Sequence, residues 1–257
     1  LFHELDGFAR GDLMNHSLKD VNPFTQWVIK RSRDQLESQG RLPKIELEPF
    51  HDHPIESSTE MQRAFNLAEE FSKALNSRLA QVDKTAGGFI KTLLQRRMGS
   101  SLAAGLSTAG KMLEHEGLGP DQDPNEDQIT IYPLGNDERG TLEELIVLLQ
   151  RELNHRVDPK FDRVIWLIAQ EYKGKSLLER GVLIFSQFYD SAHALAEFLR
   201  DSTGVTVGLY AGGDSSRLFE AGNTRTIDRD KLTAAVRTGD IKIMVGTDAA
   251  STGLNLQ

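Results

Sequence analysis

The sequence predicts an α/β fold, a parallel sheet with helices on both faces, joined to a helical insertion. Three observations carry this expectation. Gly181–Ser186 is a short continuous apolar run, the mark of a strand buried on both faces, and Val205–Tyr210 and Ile241–Gly246 read as a second and a third strand. Helical-period runs separate them, through Ala192, Leu195, Ala196, Phe198 and Leu199 and then over Asp228 to Val236. This alternation requires parallel strands with right-handed crossovers. Upstream, a long stretch of helical spacing contains no strand signal, so it reads as an insertion.

The bulk composition narrows the class. At 257 residues, with 39% hydrophobic and 26% charged residues, the chain can bury a proper core. It has no cysteine, which excludes disulfides and thiolate metal sites and fits a cytoplasmic location. No apolar run approaches the roughly 18 residues that span a bilayer, so no membrane partner is expected. The start, Leu1-Phe2-His3-Glu4, has neither a signal-peptide pattern nor an initiator Met, so the chain is expected to be a piece of a longer one. The net charge of −8 argues against an all-basic surface, yet a local basic groove is what nucleic-acid binding needs.

Residues 1–42 show no closed pattern beyond a short helical stretch opened by Asn22-Pro23-Phe24. Lys44 to Glu48 alternates polar and apolar residues and stops at Pro49, a strand signal. Ser57, Ser58 and Thr59 are candidate N-caps for a helix through Met61, Phe65, Ala68, Phe71, Leu75 and Leu79. After a break at Gly87-Gly88 a second run carries Ile90, Leu93, Leu94, Met98, Leu102, Leu106, Ala109 and Met112-Leu113. The insert at about 57–115 therefore reads as a helical hairpin. Residues 117–141, acidic and punctuated by Gly and Pro, read as a mobile loop. Two more helical stripes come next, Leu142 to Leu153 and Phe161 to Tyr172, the second started by Asp158-Pro159.

The end of the chain carries the most chemistry: Val245-Gly246-Thr247-Asp248-Ala249-Ala250-Ser251-Thr252-Gly253-Leu254-Asn255-Leu256-Gln257. Small residues after a buried strand let backbone N–H groups approach a phosphate, and the hydroxyls add neutral donors. A plain polar strand-to-helix turn accounts for the same residues equally well. The segment resembles motif V of superfamily 2 helicases, in the form used by chromatin-remodeller-type (SWI/SNF) translocases and their bacterial relatives. Val182 to Phe188 is similar to that family's motif IV. Tyr210-Ala211-Gly212-Gly213 with Arg229 stands where the family has Y-x-G and a downstream arginine. Arg31 to Glu37 before Leu42-Pro43-Lys44-Ile45-Glu46 looks like the passage between two motor lobes.

This resemblance implies a RecA-like second motor lobe over 43–257, with 1–42 as the tail of a first lobe and connector. It implies phosphate-backbone contacts by Ser186 and Thr247, flanked by Gln187 and Asp248. Close backbone approach would fall to Gly212, a further nucleic-acid contact to Arg229, and nucleotide contacts to Gly253 and Asn255. Thr252 departs from the remodeller pattern, which usually has glutamate there. The arginine-bearing motif VI is expected beyond Gln257.

Phosphoryl transfer needs a phosphate cradle with a lysine, a magnesium-binding carboxylate and a charge-stabilising arginine. Gly87-Gly88-Phe89-Ile90-Lys91-Thr92 fails as a Walker A loop, because Ile90 replaces the required glycine and no strand precedes it. Asp137-Glu138-Arg139-Gly140 follows a turn rather than an apolar strand. No catalytic residue is therefore expected here; ATP and Mg²⁺ would be bound mainly by the first lobe, and this chain alone would be inactive. No metal site is expected. The loop from Asp121 lacks the glycine and glutamate of a calcium loop, and His51 and His53 point opposite ways on an extended chain.

Among basic clusters, Lys91, Arg96 and Arg97 are the best candidates for extra DNA contacts; solvated helix faces are the bland alternative. The leading expectation is a lobe of a DNA-dependent ATPase that moves on duplex DNA, nucleoid-associated if bacterial. Its partners would be that DNA, the first motor lobe, and a protein such as RNA polymerase or a defence-system subunit. The alternatives are an RNA helicase lobe and a degenerate, non-catalytic docking module. An unrelated doubly wound nucleotide-binding protein is disfavoured, since no glycine fingerprint comes after the Val182 strand.

Overall fold

Local sequence sets where each helix starts, and the apolar spacing sets what each buries. In the computed structural model, residues 33–42, 55–79, 86–114, 134–155, 158–172 and 174–251 are described. The chain divides into two units, Leu1–Pro54 and Ile55–Gln257. Of the first, one helix is described, α1 (Arg33–Ser38). The strand signal at Lys44–Pro49 and the stretch from Asn22 lie outside the described residues.

Among its described residues the second unit opens with four helices: α2 (Thr59–Leu79), α3 (Ala86–Ser100), α4 (Leu102–Leu113) and α5 (Asn136–His155). Ser58 caps α2, its hydroxyl accepting the Met61 N–H at 3.0 Å. Ala64, Leu67, Ala68, Phe71 and Leu75 then fall on one buried stripe. They share a core with Leu94 and Met98 of α3, Met112 of α4, and Leu142, Leu145 and Leu149 of α5. Ser101 separates α3 from α4 and caps the latter, accepting the Ala104 N–H at 3.1 Å. Gly105 is required by closeness, since a Cβ there would lie 2.6 Å from Met98 Cγ.

The expected hairpin is thus a four-helix unit that runs on to His155, and Gly87-Gly88 lies within α3 rather than breaking the helix. Of the stretch read as loop, residues 136–141 are helical, and 117–133 lie outside the described residues. The acidic residues after Gly135 are a helix start. Asp137 and Glu138 sit in the first turn, where the helix dipole favours negative charge. Glu138 also turns back to accept the Gly135 N–H at 2.8 Å.

Asp158 joins this unit to the α/β lobe. Its carboxylate caps α6 (Pro159–Ala169) through the Lys160 N–H at 3.0 Å, and accepts the Leu102 N–H at the start of α4 at 2.8 Å. A small antiparallel pair, β1 (Glu171–Tyr172) and β2 (Lys175–Ser176), and the short α7 (Leu177–Arg180) lead into the main sheet.

That sheet comprises β3 (Val182–Phe185), β4 (Val207–Tyr210), β5 (Arg217–Glu220), β6 (Asn223–Thr226) and β7 (Ile243–Gly246), in the order β3-β7-β4-β5-β6. The three parallel strands expected are all present; β7 lies between β3 and β4 and is parallel to both. The antiparallel hairpin β5–β6 was not anticipated. β6 is exposed throughout and carries no apolar alternation, so it reads as loop.

On one face α6 and α8 (Tyr189–Thr203) cover Val207, Leu209, Phe219, Ile243 and Val245. On the other, α9 (Arg229–Thr238) and α10 (Asp248–Ser251) cover Tyr210, Leu218 and Met244. Helices on both faces of parallel strands are the α/β fold expected. Gly208 admits Leu232 of α9, because a Cβ there would meet Leu232 Cδ1 at 2.6 Å. On edge strand β3, Leu183 and Phe185 remain 40% and 55% exposed. Among the described residues no helix is long and apolar enough to cross a membrane.

Candidate nucleic-acid interface at the carboxyl edge of the sheet

Parallel strands deliver their carboxyl ends to one edge, where ligands of open α/β sheets sit. Here the three segments beyond β3, β7 and β4 are laced side by side. The Ser186 N–H donates to Gly246 O at 2.9 Å, and the Thr247 N–H donates to Tyr210 O at 3.0 Å. Ser186, Thr247 and the Ala211–Gly213 turn therefore form one row.

The middle of the row is closely packed. A Cβ on Gly246 would meet Ala250 Cβ at 2.8 Å and the Phe185 ring at 3.4 Å. Thr247 is buried, and its carbonyl accepts the Ala250 N–H at 2.8 Å, which starts α10; Asp248 is exposed.

The third segment is a turn held from within. The Gly212 carbonyl accepts the Ser215 N–H at 3.2 Å. The buried Ser216 hydroxyl accepts the Ala211 N–H at 3.1 Å and donates to the Ala211 carbonyl at 3.3 Å. Gly213 takes φ +55°, a conformation that side chains disfavour. Arg229, first residue of α9, donates from Nη2 to the Gly213 carbonyl at 3.1 Å, and its Cζ lies 5.5 Å from the centre of the Tyr210 ring. The glycine turn and the arginine 16 residues beyond Gly213, matched together in the sequence, are in contact. Sequence reasoning missed Ser216, which fixes this turn; the signal was a Ser pair closely following two glycines.

The basic cluster of the helical unit divides. Arg96 is exposed and donates to Gln187 Oε1 at 3.0 Å, so α3 reaches the same edge. Arg97, expected to contact nucleic acid, is instead buried at 1% exposure. Its Nη1 lies 3.7 Å from Asp190 Oδ2, and its guanidinium carbon lies 4.8 Å from the centre of the Phe188 ring. Burial and these two partners turn it inward, which corrects the expectation. Lys91 belongs to α3, but its side chain lies outside the described residues, as do Gly253 and Asn255.

Both decoy motifs are helical: Gly87 to Thr92 runs within α3 and Asp137 to Gly140 within α5, so neither forms a strand-ending phosphate or magnesium loop. Among the described residues no group of three or more His, Asp or Glu side chains could hold a metal ion.

Comparison with curated proteins finds no match. Residues 160–257, which carry the sheet, the laced edge and the helices around it, match the family described as the helicase conserved C-terminal domain, and this supports a helicase C-terminal lobe of the RecA-like kind for that stretch.

Proposed function

We propose that this chain is the second motor lobe of an ATP-dependent translocase on duplex DNA, with the carboxyl edge of its sheet as the track. The observation that carries the proposal is the row made by Ser186, Thr247 and the Gly212 turn, built on the stretch that matches the helicase domain. The half-buried Ser186 hydroxyl and the backbone of the glycine turn suit phosphates, which are the same at every base pair, so binding is independent of sequence; Thr247 is buried and holds the row together through its N–H. Arg96 and Arg229 supply cations at this edge, beside the exposed carboxylates of Asp214 and Asp248.

ATP and Mg²⁺ fall mainly to a first lobe carrying the phosphate-cradle lysine and the magnesium carboxylate. Their turnover would open and close the cleft between lobes and step this edge along the backbone. A protein partner such as RNA polymerase or a defence-system subunit, and a cytoplasmic, nucleoid-associated setting, belong to the same proposal.

The test is ATPase activity of this chain, alone and joined to such a first lobe, with duplex DNA and with single-stranded RNA. We expect the two-lobed protein to be stimulated by duplex DNA and this chain to be inert. Stimulation by RNA alone would replace the DNA track with an RNA one. A two-lobed protein inert with every nucleic acid would leave a docking module.

A further inference from the structure

Besides the Asp158 link, the four-helix unit is fastened to the α/β lobe at the Ser186–Ser191 turn. Arg96 bonds Gln187, Arg97 lies between Asp190 and Phe188, and the Ser100 and Ser101 hydroxyls each lie 2.7 Å from the Ser191 hydroxyl. Phe188 and Ser191 are themselves buried. The end of α3 and the Ser101 cap thus grip the turn after β3 and the first turn of α8. The turn after β3 begins at Ser186, an end member of the laced row.

A guanidinium at 1% exposure is strongly desolvated and needs partners that hold it. Arg97 finds an ion pair on one side and an aromatic face on the other, and a planar fork suits both at once. A lysine could reach only one of them well.

We infer that Arg97 is a positioning residue: it locks the Ser186–Ser191 turn to the four-helix unit, so that a displacement of that unit moves Ser186 and Gln187 at the nucleic-acid edge. It acts through the turn and does not touch nucleic acid. The structural half of this inference stands alone; the functional half rests on the motor-lobe proposal.

Amide hydrogen exchange of the 257-residue chain, without nucleic acid, tests the lock. The reporters are the Ser186 amide, bonded to Gly246 O, and the Ala192 amide, bonded to Phe188 O at 3.0 Å. In Arg97→Ala we expect both to exchange about tenfold faster or more, with Arg97→Lys intermediate. The Thr247 amide, bonded to Tyr210 O, should be unchanged. Unchanged exchange at Ser186 and Ala192, or an equal rise throughout the helices and sheet, would overturn the inference. Should Arg97→Ala fail to fold, Asp190→Asn carries the test: it should speed the same two amides, and no change there overturns the lock.

Duplex-DNA binding by fluorescence anisotropy tests the consequence. Arg97→Ala should weaken binding about tenfold with the salt slope unaltered, whereas Arg96→Ala should lower that slope by about one. A slope lowered by about one in Arg97→Ala would make it a phosphate contact and overturn the positioning role. If the unaltered chain binds no duplex DNA, the motor-lobe proposal falls while the exchange experiment still decides on the lock.

Discussion

Arg96 and Arg97 are neighbours in sequence, about 100° apart around α3, and they face opposite environments. One reaches Gln187 at the surface; the other is sealed against Phe188 and Asp190. Composition cannot separate them, because the residues that receive Arg97 are distant in sequence. The close packing at Gly246 makes a sharper prediction. Gly246→Ala would force its Cβ onto Ala250 and Phe185, and overpacking of this kind costs roughly 1–3 kcal/mol, measurable as a lower melting temperature. If the proposed track is right, it should also weaken duplex-DNA binding, since Thr247 is the next residue. The row itself was legible residue by residue, because small and hydroxyl residues after each strand marked it. The inward turn of Arg97 and the role of Ser216 were not, since both depend on tertiary contacts.

At the scale of elements, periodicity located the three parallel strands and most helices, and failed where polar residues serve structure. The acidic start of α5 is the clearest case. Burial by itself raises the Glu138 carboxyl, but the Arg78 hydrogen bond, the Gly135 N–H and the Arg78 charge together hold it below the usual carboxylate range. The pair is bidentate, at 2.7 Å and 2.9 Å, and links the end of α2 to the start of α5. A carboxylate lowered in the folded state adds stability that is complete above its unfolded value and is lost as pH falls through the folded one. The four-helix unit should therefore hold its stability from neutral pH down to about the ordinary value of 4.5, and lose this share of it below. Glu138→Gln should remove that acid-dependent share and cost about 1–2 kcal/mol at pH 7, a discount from fully buried pairs because Arg78 is 40% exposed on its side chain. Thermal melts across pH on both proteins check this. The β5–β6 hairpin escaped detection for a related reason: its outer strand buries nothing, so alternation had nothing to record.

For the whole molecule, a net charge of −8 opposes a polyanion while Arg96 and Arg229 at the sheet edge would attract one, and ionic strength reports which of the two governs binding. If the edge holds DNA through a few phosphates, log K should fall linearly with log salt, with a slope of about −2 to −4. A slope near zero in a salt titration would assign binding to something other than the backbone. The α/β class was legible at this scale because strand and helix signals alternate in order. The extent of the four-helix unit was not, because α5 lies beyond a segment that resembles a linker in composition.

The order β3-β7-β4 has a consequence in time. Among the described strands, the last in sequence is the middle one of the parallel set, so β3 and β4 have no bonded neighbour between them until Ile243–Gly246 arrives. The four helices, by contrast, complete their own core before the first strand of that sheet begins. During synthesis the helical unit can close while β3 and β4 wait for β7, and non-local pairing of that kind is slow. Refolding monitored by stopped flow should show a fast helical phase and a slower one that fixes the sheet. A chain ended at Asp240 should keep the first and lose the second, leaving the row of Ser186, Thr247 and the glycine turn unformed.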